Sequence, residues 1–298
     1  MSTEKEFTFV TLTYNHSLFI EEHLNSILSL VKSYGEGISV DLIVSDDCSK
    51  DDTTEIADRW IEDNKAFFRR ITRKYSDVNR GMISNLFGAI EEVQTRHFKF
   101  LAGDDRYFQN DIFSFVFGLN EGQMVVTPLI PFGEGESAKE IVRRYRTLLF
   151  AKNKGKSHQL MRYENYIPAP GVFLDGSLLK DERLREFLGK YRNIEDYPMW
   201  WYMLFVRKID FMVVNTPYVL YRVNAGISTK KTHEKRTAYL DEIGQIRKDL
   251  KVRRYRLPKY INVFRYLGKI NTWIVRRKRE EIDNLLGNDE SLTVYKHS

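Results

Sequence analysis

Short runs dense in β-branched and aromatic residues open the chain. Each gives way to a longer stretch in which apolar residues return every three or four positions. Phe7–Thr13 reads as a buried strand, and Ile20, Leu24, Ile27, Leu28 and Val31 mark one face of a helix that Gly35 and Gly37 end. Val40–Ser45 repeats the strand pattern, and Ile56, Ala57, Trp60 and Ile61 repeat the helix. Phe67–Ile71 is a third strand candidate, followed by a helix through Ile83, Leu86, Ala89, Ile90 and Val93 and by a fourth strand over His97–Leu101. Strand alternating with helix at this spacing predicts an α/β fold: a mostly parallel sheet with helices on both faces. Ligands of such sheets sit beyond the carboxyl ends of the strands, where Tyr14, Asp47 and the Asp104–Asp105 pair fall.

That pair is the sharpest chemical signal of the first half. HFKFLAGDDRY runs apolar and then breaks at Gly103 into two adjacent acids. In a concave, partly dry site two such carboxylates repel, and they require a proton, a basic side chain or a hard divalent cation. A solvated turn is the plain alternative. The acids after the second strand, from Asp46 to Asp52, likewise fit simple capping of the helix that follows.

The second half is less regular. Val125–Ile130 has strand character, Ile141–Phe150 reads as a basic helix, and Phe211–Val214 with Tyr218–Tyr221 read as a late strand pair. Glu195 and Asp196 stand just before an aromatic-rich helix whose first turn accepts Pro198. Capping explains those acids as readily as catalysis does.

Four stretches in order, TLTYN (residues 11–15), IVSDDCSKDDT (43–53), NRGMISN (79–85) and LAGDDRY (101–107), resemble the inverting glycosyltransferases of family 2, which have the GT-A fold. The resemblance covers about residues 6 to 225. It implies a nucleotide half over about 1–115 and an acceptor half over about 116–229. It also implies a nucleoside-diphosphate-sugar donor, a UDP-sugar first, held with Mn²⁺ or Mg²⁺, and a hydroxyl of a glycan or lipid-linked glycan as acceptor, in bacterial surface-polysaccharide synthesis. By the same resemblance Asp105 is the first metal ligand, with Asp104 sharing the ion or facing the ribose. Thr13, Tyr14 and Asn15 line the nucleotide site, Asp47 takes the base, Arg80 meets ribose or phosphate, Asp196 is the catalytic base, and Glu195 positions it or the acceptor. Tyr166–Phe173 resembles the wall of the acceptor pocket, and Arg222, Asn224 and Ser228 a loop over the diphosphate. The chain departs from the family pattern at Leu12 (proline in many members), Cys48 (usually glycine) and Ala102 (the first acid of an Asp-x-Asp signature).

Composition narrows the setting. The 298 residues suffice for a large core, and 42% hydrophobic with 30% charged residues is ordinary for a globular chain. One cysteine, Cys48, excludes an internal disulfide, and the charged N-terminus and lack of a long apolar run lead us to expect a cytoplasmic protein. The net charge of +6 is concentrated late. Residues 230–298 read as a helical basic extension, and 248–279 join Lys and Arg to apolar and aromatic positions at helical spacing. That stretch suits the inner face of a membrane, the catalytic domain itself, or a second subunit in a homo-oligomer. Two other function classes fit less of the sequence. A nucleotidyltransferase would carry a glycine-rich phosphate loop that TLTYNHS lacks, and a nucleic-acid binder would leave the acidic strand ends unexplained, so no nucleic acid is expected. A non-catalytic relative acting as a binding module also remains open.

Overall fold

A computed structural model of the protein describes residues 5–133, 137–162, 165–223 and 233–251. Four parallel strands, β1 (Lys5–Thr13), β2 (Ile38–Asp46), β3 (Arg70–Tyr75) and β4 (His97–Ala102), form the main sheet in the order β3-β2-β1-β4. The register pairs Thr13 with Asp46 and Leu12 with Ala102, so three strands end together and their following loops share one rim. Period-two alternation divides the core. Phe7, Phe9, Leu42 and Val44 pack under α1 (Ile20–Tyr34) and α2 (Thr53–Asn64), whereas Val10, Leu12 and Ile43 face α3 (Met82–Glu91).

The expected third strand sits later in the chain than the apolar run suggested. Lys65–Phe67 forms a 3-10 turn, and the strand is the charged RITRKY segment at the sheet edge, where only one side is paired. Val125–Ile130 likewise divides into two strands.

A short β5 (Arg106–Tyr107) follows the acid pair directly, and then α4 (Ile112–Phe117), β6 (Met124–Val126) and β7 (Leu129–Phe132). Two further helices, α5 (Ser137–Asn153) and α6 (Ser157–Met161), lead to β8 (Val172–Leu174), α7 (Gly176–Leu179), α8 (Glu182–Leu188) and α9 (Asp196–Phe205). The last elements are β9 (Phe211–Val213), β10 (Val219–Arg222) and α10 (His233–Asp249). The late strands do not pair with each other: β9 joins β6 and β8, and β10 lies between β5 and β7. This places the end of β10 beside the turn that follows β4.

Residues through Val252 belong to one compact unit. Within it α10 buries Ile246 and Leu250 in the same apolar cluster as α9. Lys248 and Lys251 are exposed at its end, and the rest of the basic stretch, residues 252–279, lies outside the described residues. Among the described residues no helix is long and apolar enough to cross a membrane.

Candidate active site

The loops after β1 and β2 are stitched together. Thr13 donates its hydroxyl to Asp46 Oδ2 at 2.7 Å, Ser49 donates its backbone N–H to Asp46 Oδ1 at 2.7 Å, and Asn15 Oδ1 accepts the Lys50 N–H at 2.8 Å. Asn15 and Cys48 both adopt left-handed backbone, with φ of 56° and 66°. At Cys48 that geometry accounts for the family's usual glycine, since a side chain there is strained. Tyr14 is half-buried between these ties.

Asp47, buried at the end of the same strand, turns to the third loop. Its Oδ1 accepts the Arg80 N–H at 2.7 Å and its Oδ2 the Gly81 N–H at 2.8 Å. Burial raises its pKa, and the two amides act against that rise. Arg80 itself is exposed, at the edge of a cleft of about 800 Å³ that Tyr191, Arg192 and Glu242 also line.

After β4, Asp104 and Asp105 are 8% and 3% exposed. Asp105 Oδ1 accepts the Arg222 N–H at 2.8 Å, and Arg222 Nε donates to the Asp104 carbonyl at 2.9 Å. His16 Nε2 lies 4.0 Å from Asp104 Oδ2. Beneath the pair, His23 Nδ1–H donates to the Asp105 carbonyl at 2.7 Å, while its Nε2 accepts from Thr11 at 2.9 Å. Burial lowers the His23 pKa to about 4, so the ring is neutral and its tautomer follows from the carbonyl it serves. Burial, and then the Asp104 charge, push Asp105 well above the usual carboxylate range, against the Arg222 amide and the buried Lys99. A cation would relieve this strain. Among the described residues no cluster of three or more His, Cys, Asp or Glu groups could hold a metal alone. Two carboxylates fit an Mg²⁺ or Mn²⁺ ion whose remaining positions go to diphosphate oxygens and water, the usual arrangement for such ions at nucleotides.

Glu195 and Asp196 begin α9, both half-buried. Asn165 Nδ2 and the Tyr197 N–H each donate to Asp196 at 2.6 Å. Burial raises both acids. Asp196 has Arg144, the Tyr197 amide and Asn165 in opposition, whereas Glu195 also feels Asp196 and Glu242 and reaches about 8. Tyr221 of β10 lies within electrostatic reach of Asp104, Asp105 and Asp196.

The structure therefore sets Tyr14, Asp47, Asp104 and Asp105 at the shared strand ends, with Arg222 bonded to the acid pair and Asp196 at the start of α9, while Thr13 and Asn15 spend their polar groups tying loops. Asn224 and Ser228 lie outside the described residues. Sequence reasoning overlooked His23, Lys99, Asn165, Tyr221 and Glu242. A histidine and a lysine inside apolar runs were the available signals for the first two; Asn165 and Glu242 act across folded contacts that no spacing announces.

The glycosyl transferase family 2 model matches residues 8–181, more than half of the chain. Among solved structures, the mannosyltransferase PcManGT from Pyrobaculum calidifontis in complex with GDP-Man and Mn²⁺ is similar, with 15% identity, a TM-score of 0.54, and coverage of 86% of this chain and 67% of that one. S. aureus TarS 1-349 in complex with UDP-GlcNAc gives 14% identity, a TM-score of 0.50, and coverage of 81% and 66%. No curated protein matches the chain.

Proposed function

Because the chain belongs to glycosyl transferase family 2, and is a glycosyltransferase of GT-A fold that draws on a nucleotide sugar, we propose a metal-dependent inverting transfer from a nucleoside-diphosphate sugar to a glycan hydroxyl. The observation that carries this reading is the buried Asp104–Asp105 pair after β4, whose Asp105 Oδ1 accepts the Arg222 N–H at 2.8 Å, on the same rim of strand ends as Asp47.

Inversion needs the attacking hydroxyl and the departing diphosphate on opposite faces of the anomeric carbon, with a base near the former. Asp196 takes the hydroxyl proton as the new glycosidic bond forms and the bond to the diphosphate breaks. Asn165 and the Tyr197 amide hold its carboxylate in place. Glu195, raised to about 8 by burial and then by Asp196, keeps its proton at neutral pH. Asp105, with Asp104, would hold the divalent ion, which neutralises charge on the leaving diphosphate. Arg222 keeps Asp105 oriented, and Arg80 is exposed to reach ribose or phosphate. Tyr14 presents a ring to the base, while Asp47 shapes the base pocket through the turn it holds and offers its remaining lone pairs to an imide.

The two similar structures carry different nucleotides, GDP-Man in one and UDP-GlcNAc in the other, so UDP- and GDP-sugars both belong in the test. The acceptor we favour is a growing or lipid-linked glycan at the cytoplasmic membrane face. Nucleoside diphosphate release from a panel of nucleotide sugars, with Mn²⁺, Mg²⁺ or chelator, tests the proposal. Metal-dependent release that Asp196→Asn abolishes supports it, and equal release by that variant removes Asp196 as the base.

A further inference from the structure

The loop that delivers Glu195 and Asp196 has no regular structure of its own. Arg192, Asn193 and Ile194 point three successive backbone N–H groups at one atom, Glu242 Oε1 of α10, at 2.8, 2.8 and 3.1 Å. The other carboxylate oxygen accepts the Asn193 side-chain amide at 3.1 Å. A carboxylate filling such a nest of amides makes strong, charge-assisted bonds, and it fixes the peptide planes on which the next residues depend.

The same loop is tied on its other side to the nucleotide half. The Arg192 guanidinium donates to the Asn79 carbonyl at 2.9 Å and to its Oδ1 at 2.8 Å, and the Arg192 carbonyl accepts the Ile83 N–H at 3.1 Å. Asn79 and Gly81 flank the turn that Asp47 holds. A continuous path of hydrogen bonds thus runs from the end of β2, through that turn and the 192–194 loop, to Glu242.

We propose that Glu242 is a positioning residue for the Glu195–Asp196 pair, holding the loop that sets the catalytic base against the donor. This rests on the reading of Asp196 as the base. Glu242 touches neither reacting group and acts through the backbone. A carboxylate used only for folding would lose stability on substitution and leave the balance of turnover and binding unchanged.

The test compares wild type, Glu242→Ala and Glu242→Gln in the full chain, reading hydrogen exchange of the 192–194 amides, UDP and GDP binding with Mn²⁺, and diphosphate release from the matching sugar donors. The expected result for Glu242→Ala is exchange at least tenfold faster at 192–194 with the β1 and β2 amides still protected. Its turnover should fall roughly 10- to 100-fold with nucleotide Kd within about twofold of wild type. Glu242→Gln keeps an oxygen for the three amides and should recover most of both, with the alkaline limb of its pH profile moved down because a negative charge near Glu195 is gone. Should the alanine variant fail to fold, Glu242→Asp, which keeps the charge but draws the oxygens back from the three amides, decides the matter by the same exchange and turnover readings. Wild-type turnover or wild-type 192–194 exchange in the variant read, or a parallel loss of nucleotide binding, overturns the proposal. A wild type that releases no nucleoside diphosphate from any donor sinks the functional reading instead, and the exchange data then still decide whether Glu242 holds the loop.

Discussion

Asp47 and Gly81, 34 residues apart in sequence, are joined by a 2.8 Å hydrogen bond from the Gly81 N–H to Asp47 Oδ2. Gly81 has φ of 92°, and a Cβ there would stand 2.6 Å from the Arg192 carbonyl oxygen. One backbone position therefore links the end of β2 to the loop at Arg192. Gly81→Ala should destabilise the fold by about 1–3 kcal/mol, since both the conformation and the space exclude a side chain. Urea unfolding checks this.

The left-handed backbone of Cys48 gives a contrast between two substitutions. Cys48 is buried and its thiol donates to the Asp77 carbonyl at 3.1 Å. Cys48→Gly should stay within about 1 kcal/mol of wild type, the relief of strain offsetting the lost contact and the added chain entropy. Cys48→Val should lose roughly 2 kcal/mol or more, because a β-branched residue is poorly tolerated at positive φ. Chemical denaturation of the pair measures the difference.

Lys99 is fully enclosed in the core, donates to the Phe100 carbonyl at 2.8 Å, and has its pKa lowered by burial to about 7. Above pH 10.5 the side chain is neutral in both states and adds nothing to the pH dependence. Between pH 10.5 and about 7 the unfolded chain binds a proton that the folded chain refuses, so stability falls as pH drops through that window and the loss is complete below it. Lys99→Met should therefore be more stable than wild type at pH 7, by an amount on the order of a few kcal/mol that shrinks towards pH 10. Unfolding free energies at the two pH values test the sign.

Glu195, raised to about 8, is protonated at pH 7. Glu195→Gln imitates the neutral acid and should keep diphosphate release at pH 7 within about threefold of wild type, while removing the change in rate near pH 8. Loss of activity at neutral pH would show that Glu195 works as an anion.

Much of this architecture was readable because each early element carries a single strong period. β1 and β2 alternate so that Phe9 and Val10 face opposite sides, and α1 repeats its apolar face through Ile20, Leu24 and Ile27. The edge strand β3 was expected too early, at Phe67–Ile71, because an edge needs charge rather than apolar bulk, and Arg73 and Lys74 supply it. The pairing of β10 with β5 and β7 is a non-local choice that no local pattern encodes. In the site, adjacent acids at strand and helix ends were legible as motifs. Their partners were not: His23 and Asn165 reach them, and Glu242 reaches the loop before Glu195, through tertiary contacts separated by dozens of residues.

A thermal-shift titration with UDP and GDP, each with Mn²⁺ and with chelator, on wild type and Asp105→Ala, tests the central claim of a metal-assisted nucleotide site most directly. A ligand that binds the folded state raises its Tm by an amount that grows with the logarithm of its concentration over Kd. The account predicts stabilisation by one nucleotide that needs the metal and is lost in Asp105→Ala. An unchanged Tm with both nucleotides, or an equal shift with chelator and in the variant, would contradict it.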